Sequence, residues 1–263
     1  MKIGIISDIH EDIHSLNKAL EILEKNKCDE VLCLGDIVGY DKVYSIRIKD
    51  PNASECVEAV RKNCKYAVIG NHDLNSIRKL PEKFKGFDYP PNWYELSLQE
   101  RIKSGEGKVW LYENETPSPT LKDKDIEYLN SLPEYLTLKY RGKNVLFSHS
   151  IFPDLTGSLV FRPYNPWDMK EHLSLCRFHK SQFSFSGHMH PYGMIRANIN
   201  HFKSLSFRNY KLKEMNSHYF CPCIANNAGK SGLVIIDFKE MLISVIKLNK
   251  NNNLSMLYEW FQP

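Results

Sequence analysis

Residues 2–36, "KIGIISDIHEDIHSLNKALEILEKNKCDEVLCLGD", carry two short apolar runs around one amphipathic segment. Ile3 to Ile6 are a continuous apolar run of strand length, and Val31 to Leu34 form a second. Between them Ile13, Leu16, Ala19, Leu20 and Leu23 recur at three- and four-residue spacing, which puts them on one face of a helix. Strands that are apolar throughout, rather than alternating, are covered on both faces. The stretch therefore reads as a βαβ unit with two parallel buried strands.

The pattern continues outward. "SECVEAVRKN" (54–63) reads as a second helix with Ser54 as its N-cap, and "YAVIGNHD" (66–73) as a third strand. Open sheets of this kind assemble their sites just beyond the carboxyl ends of the strands. Asp8, His10, Asp36, Asn71 and His72 all fall there. From Asn75 to about Leu121 the periodicity loosens, with a helix expected over Trp93–Lys103 and a loop at "NETPSPT" (114–120). "LKDKDIEYLNSLP" (121–133) reads as a short helix stopped by Pro133. Strands are expected at "EYLTLKY" (134–140), "KNVLFSH" (143–149), "QFSFSG" (182–187), "HYFCPCIAN" (218–226), "SGLVIIDF" (231–238) and "LISVIKL" (242–248). Residues 151–167 are irregular and rich in proline, and Asn251 to Asn253 read as a surface turn before a last strand.

Composition sets bounds. The chain has 263 residues, 42% hydrophobic and 25% charged, enough for one large core or two small ones. The net charge of +4 comes without a dense basic block, so nucleic acid is not indicated as a partner. The apolar run at the start is too short for a signal peptide or a membrane span. Seven scattered cysteines lack the spacing of a disulfide scaffold, and the expectation is a reduced, cytoplasmic protein with Cys221 and Cys223 as buried thiols.

The strand-end blocks form one constellation: "DIH" (8–10), "GD" (35–36), "GNHD" (70–73), "SHS" (148–150) and "GHMH" (187–190). Each alone is weak, because a lone Gly-Asp is usually a turn and a lone histidine a structural donor. Together they supply two aspartates, one asparagine and five histidines: Asp8, Asp36, Asn71, His10, His72, His149, His188 and His190. Imidazole with carboxylate suits zinc, iron or manganese, whereas calcium and magnesium sites are mostly oxygen.

In this order and placement the blocks resemble the calcineurin-like metallophosphoesterase superfamily. "GDIVGY", "PNASECVEAVR", "VIGNHD" and "YLNSLP" are similar to its bacterial and archaeal predicted phosphodiesterases. The resemblance implies a four-layer α/β/β/α sandwich of two mixed sheets, one domain over 1–263, with segments around 75–120 and 151–170 shaping specificity. It implies two divalent ions, manganese or iron first, with zinc or nickel also accepted. Asp8, His10 and His190 would hold one ion, Asn71, His149 and His188 the other, and Asp36 would bridge them. His72 would protonate the leaving oxygen, and Asp73 would orient the His72 ring through a hydrogen bond. The implied reaction is hydrolysis of a phosphodiester or phosphomonoester, nucleotides included, by in-line attack of a metal-activated hydroxide. His188 and His190, one residue apart, would then serve different ions.

Departures from the pattern bear on the pocket. Protein phosphatases and dinucleoside tetraphosphatases of the superfamily carry an Asp-Arg-Gly after the Gly-Asp block, and here "GDIVGYDK" has no such arginine. Arg47, Arg78, Arg162 or Lys42 are the candidates to replace it. "YDKVYSIRIKD" (40–50) lengthens the following loop, and Ser150 stands where relatives carry glycine. Phe87, Tyr89, Trp93 and Tyr94, or Phe161, Tyr164 and Trp167, either stack on a base or pack the irregular segments. The alternatives to a phosphoesterase are a binding or scaffold protein on the same fold, a dinucleoside polyphosphate hydrolase or protein phosphatase, and a nuclease acting on DNA ends. A scaffold would be free to lose its ligands or the histidine after Asn71, and this chain keeps them all.

Overall fold

The computed structural model describes residues 1–42, 47–113, 115, 120–212, 216–225 and 229–248. The turn expected at Asn251 to Asn253 and the strand after it lie outside these residues.

The opening unit folds as its apolar pattern requires. β1 (Lys2–Ile6), β2 (Glu30–Cys33) and β3 (Tyr66–Ala67) pair in parallel. The connections are α1 (Ile13–Lys25) and α2 (Ala53–Asn63). Two further helices are α3 (Asn71–Ser76) and α4 (Leu98–Gly105), followed by α5 (Asp123–Ser131). The second half adds β4 (Tyr135–Tyr140), β5 (Lys143–Ser148), α6 (Lys170–Phe178), β6 (Phe183–Ser186), β7 (Met194–Ala197), β8 (Phe202–Leu205), β9 (Asn209–Lys211), β10 (Ser217–Phe220), β11 (Gly232–Asp237) and β12 (Leu242–Lys247). These strands make two six-stranded sheets, ordered β3-β2-β1-β11-β12-β9 and β4-β5-β6-β10-β7-β8. Both are mixed: β11 runs antiparallel to β1, while β10 and β5 run parallel to β6.

The burial pattern stacks four layers. Leu16, Ala19 and Leu23 of α1 and Val57 and Val60 of α2 pack with Ile6, Cys33, Leu233 and Ile235 on the outer face of the first sheet. Ile3, Ile5 and Leu32 point the other way, onto Val145, Phe147, Phe185 and Tyr219 of the second sheet. Leu173 of α6, with Met169 before it, covers Ala197 and Phe220 on the far face. This is the α/β/β/α sandwich, and it explains why β1 and β2 do not alternate: both faces are interior. The carboxyl ends of β1, β2, β5 and β6 come to one edge of the two facing sheets.

Local expectations fail where competing groups cap better. The N-cap of α2 is Asn52, whose side chain accepts from the Glu55 N–H (3.1 Å), and Ser54 sits inside the first turn. The helix expected over Trp93–Lys103 divides into a 3-10 turn at Trp93–Glu95 and α4, because Ser97 and Glu100 form a capping box that starts a new helix. β3 is only two residues long, since Asn71 already begins α3. β7, β8, β9 and α6 are not anticipated by periodicity at all. Phe87, Tyr89 and Trp93 stack edge to face on one another at centroid distances of 4.8 to 5.7 Å, so this aromatic group packs its own segment. All seven cysteines are free.

Of the histidines outside the strand-end pattern, His172 and His218 are completely buried between α6 and the second sheet. The Phe152 N–H donates to His172 Nδ1 (3.2 Å), so Nε2 carries the proton and donates to Ser184 Oγ (3.1 Å). Ser184 and Ser186 in turn hold His218 at 2.8 and 3.0 Å. Burial pushes His172 down to about 3 and His218 well below its ordinary value, which His172 reinforces. The unfolded chain then takes up protons first, near pH 6.5, so the network's stabilisation is complete above that pH and is lost as pH falls toward 3. His172 is expected to cost about 2 kcal/mol of stability by pH 5, with a further loss in the same direction from His218. Denaturant unfolding at pH 7 and 5 checks this: His218→Asn should show a smaller pH-dependent loss than the parent, and an equal loss would sink it.

Candidate metal centre

Local backbone geometry at the sheet edge is unusual. Asp8, His10, Asp36, His188 and His190 all adopt positive φ, between 44° and 64°. Non-glycine residues pay a steric cost there, and such residues gather at functional sites when the surrounding fold fixes them. In "GHMH" the left-handed turns at His188 and His190 flank Met189, whose N–H donates to Gly187 O (2.7 Å).

The polar groups then converge. The His188 N–H donates to Asp8 Oδ1 and Oδ2 (3.0 and 3.1 Å), tying the first and last blocks together. His190 Nε2 lies 3.0 Å from Asp8 Oδ1 and 3.3 Å from His10 Nε2. Asp36 is central. Its Oδ1 accepts from the His72 N–H (2.9 Å), while Oδ2 lies 3.0 Å from His149 Nε2 and 3.9 Å from both His10 Nε2 and His72 Nε2. His10 Nδ1 donates to Gly39 O (3.1 Å) and His149 Nδ1 to Leu34 O (2.7 Å). Those bonds place a proton on each Nδ1 and aim both Nε2 atoms into the site.

Two groups emerge with ligand atoms within 4.8 Å of one another: Asp8, His10 and His190, and Asp36, His149 and His188. A third joins His72 to His10 and Asp36. Asn71 Oδ1 and His188 Nε2 are buried without a hydrogen-bond partner. Orphaned acceptors of this kind cost about 1–3 kcal/mol each, which coordination of a cation would relieve. Gly157, at φ 86°, brings the 151–170 segment against this group: a Cβ there would meet His188 Nδ1 at 2.7 Å and Asn71 Oδ1 at 2.9 Å.

The electrostatics match. Burial alone would raise Asp8 and Asp36, but His190 and His149 outweigh it at Asp8, and His149 and His72 at Asp36; both carboxyls are held far below the ordinary range. Burial, with neighbouring imidazoles, pushes His10 and His188 down to about 3, so both are neutral donors of a lone pair. Burial opposes charge on His149, yet Asp36 and Asp8 lift it to about 9. A cation taking its place beside Asp36 would displace that proton. Asp8, Asp36 and His149 form the floor, at 0 to 2% side-chain exposure, whereas His72 (23%) and His190 (28%) reach the solvent-facing lip.

Asp73 departs from its expected role. It does not touch the His72 ring: Oδ1 accepts from the Ile37 and Val38 N–H groups (2.8 and 3.0 Å) and Oδ2 from Gly70 N–H (3.0 Å). Consecutive residues on the first turn of α3 point about 100° apart, so Asp73 caps the helix and laces the Gly-Asp block to it. The carboxylate paired with His72 Nδ1 is Glu115. Tyr112 OH accepts from Asn71 Nδ2 (3.0 Å). Neither was foreseen, since both lie in a segment without periodicity or motif. Burial opposes charge on His72, but Glu115 and Asp36 carry it up to about 10.

Two mixed sheets flanked by helices are the fold of the metallophosphoesterases. The profile of the calcineurin-like phosphoesterase family matches residues 1–192, and the chain belongs to that family. An uncharacterized protein of Methanocaldococcus jannaschii is 29% identical over 176 residues, a match spanning 60% of this chain and 60% of that protein's length. A metallophosphoesterase from Sphaerobacter thermophilus shares the fold with a TM-score of 0.63 at 19% identity, over 95% of this chain and 88% of that one. A hypothetical protein from Pyrococcus horikoshii OT3 does so with a TM-score of 0.61 at 14% identity, over 95% and 89%. Among the described residues no helix is long and apolar enough to cross a membrane.

Proposed function

We propose that the chain is a dinuclear metal-dependent phosphoesterase acting on a small-molecule phosphodiester or phosphomonoester, nucleotides included. The observation that carries this reading is the pair of ligand groups sharing one edge, with Asn71 Oδ1 and His188 Nε2 buried there without a hydrogen-bond partner. Asp8, His10 and His190 would hold one divalent ion, Asn71, His149 and His188 the other, with Asp36 common to both. The donor set of imidazole, carboxylate and one amide suits manganese or iron, and accepts zinc or nickel. When bound, such ions polarise phosphoryl oxygens and acidify water near neutral pH.

The chain's own residues do the rest. Asp36 and Asp8, ionised and buried, set the negative charge that recruits cations to the edge. His72 Nε2 faces the site at the accessible lip and gives a proton to the departing ester oxygen, as a general acid must. Segments 75–120 and 151–170 border the same edge, through Tyr112 and Gly157, and would choose the substrate within one catalytic domain. A turnover screen of the manganese-reconstituted chain tests the reading, using bis-p-nitrophenyl phosphate, p-nitrophenyl phosphate, cyclic nucleotides and dinucleoside polyphosphates. Hydrolysis of at least one ester class that stops on chelation is expected. Metal-loaded protein inert toward every one would refute it.

A further inference from the structure

Residues 108–113 and Glu115 reach the site as an anchored arm. At one end the Trp110 N–H donates to Ser158 O (3.0 Å), the Val160 N–H to Lys108 O (2.9 Å), and Val109 bridges to Leu159. At the other, Glu115 forms an antiparallel bridge with Asp41, just after the Gly-Asp block. The arm is thus fixed both to the 151–170 segment and to the loop that carries Asp36. From it Tyr112 and Glu115 face the Asn71–His72 pair. Glu115, with its side chain 3% exposed, pairs through Oε1 with His72 Nδ1, and its Oε2 accepts from Asn75 Nδ2 (3.1 Å) one turn along α3. The Tyr112 ring lies edge-on to His72 at 5.2 Å, and its hydroxyl accepts from Asn71 Nδ2. Gly39, at φ 89°, closes the other side of His72: a Cβ there would meet His72 Cβ at 2.5 Å and Nδ1 at 2.9 Å.

We propose that Glu115 and Tyr112 are positioning residues for the phosphoester reaction, Glu115 holding the His72 ring by Nδ1 and Tyr112 setting which way the Asn71 amide faces. An imidazole anchored at Nδ1 presents Nε2 and its proton in one direction only, toward the edge where Asp36 Oδ2 lies. An Asn71 amide whose Nδ2–H₂ is engaged by Tyr112 must turn Oδ1 the other way, which is where that oxygen sits buried and unpartnered. The two contacts therefore assign different tasks to one arm. Glu115 acts on proton delivery, and Tyr112 acts on cation retention. Asp73, the acidic neighbour in sequence, does neither.

This inference rests on the phosphoesterase reading, and its test separates the two. The full-length chain, its Glu115→Ala, Glu115→Gln and Tyr112→Phe variants, and His72→Ala as reference are loaded with manganese. They are assayed on two aryl phosphodiesters of the same shape, one releasing p-nitrophenolate and one phenolate. Glu115→Ala is expected to lower kcat about 10- to 100-fold on the phenolate ester and only a few-fold on the p-nitrophenolate ester, with KM and bound manganese unchanged. Glu115→Gln, which keeps the shape without the charge, should fall between it and the parent. Tyr112→Phe should weaken retention of one manganese ion about 10-fold without altering the leaving-group dependence. In the metal-free chain, NMR should show a slowly exchanging imidazole N–H that disappears in both His72→Ala and Glu115→Ala. Equal losses on the two esters, unchanged kcat on both, or persistence of that proton in Glu115→Ala would overturn the role of Glu115. Unaltered manganese retention would overturn that of Tyr112. If the parent turned over neither ester nor any other phosphoester, the phosphoesterase reading would fall and this inference with it.

Discussion

Asp36→Asn is expected to lower turnover about 1000-fold and to leave the folded chain with at most one firmly held manganese ion. Asp36 Oδ2 lies 3.0 Å from His149 Nε2 and 3.9 Å from both His10 Nε2 and His72 Nε2, so this one atom reaches imidazoles of both ligand groups. The amide keeps the shape and can still accept from the His72 N–H, as Asp36 Oδ1 does, so the loops stay in register. What disappears is a full buried negative charge between the two ligand groups. Losing several kcal/mol of charge stabilisation at about 1.4 kcal/mol per decade gives the thousandfold figure. Steady-state kinetics with metal analysis of the same preparation checks it. Asp36→Asn with two ions and parental kcat would contradict the bridging role.

His72→Ala should give a different signature: about a 100-fold loss of kcat on esters with poor leaving groups, a small loss on p-nitrophenyl esters, and full metal content. The reason is positional. His72 belongs to the third group only by proximity, its Nε2 lying 3.9 Å from Asp36 Oδ2, while its Nδ1 is taken by Glu115. A ring held from behind by a carboxylate and 23% exposed at its front is placed to give a proton to something arriving from solvent. Loss of manganese in His72→Ala, or an equal loss on every ester, would mean that it serves as a ligand instead.

How much of this was legible in the sequence follows from the range of the signals. β1, α1 and β2 could be read because burial on both faces writes an uninterrupted apolar run, and a one-sided helix writes a period near 3.6. The strand-end residues could be read because parallel neighbours, β1 with β2 and β5 with β6, release the chain at the same sheet edge, so short blocks far apart in sequence meet there. β7 to β9 are three or four residues each and mix lysine, arginine and serine with apolar positions, so no periodic window covers them. Asp73 follows His72 in sequence but serves the Gly-Asp block, because adjacency on the chain is not adjacency on a helix. Glu115 was invisible for the opposite reason: it stands 43 positions from His72, in a segment whose composition marks only a loop, and its partner is fixed by tertiary contacts at Asp41 and Ser158.

The central claim is that two ligand groups sharing Asp36 make a two-ion centre. Titration of the metal-free full-length chain with manganese, followed by calorimetry and by metal analysis after gel filtration, tests it most directly. Two equivalents per chain are expected, with proton release on binding because His149 must give up the proton that Asp36 and Asp8 favour. Binding of one equivalent or none by the correctly folded protein would contradict the account.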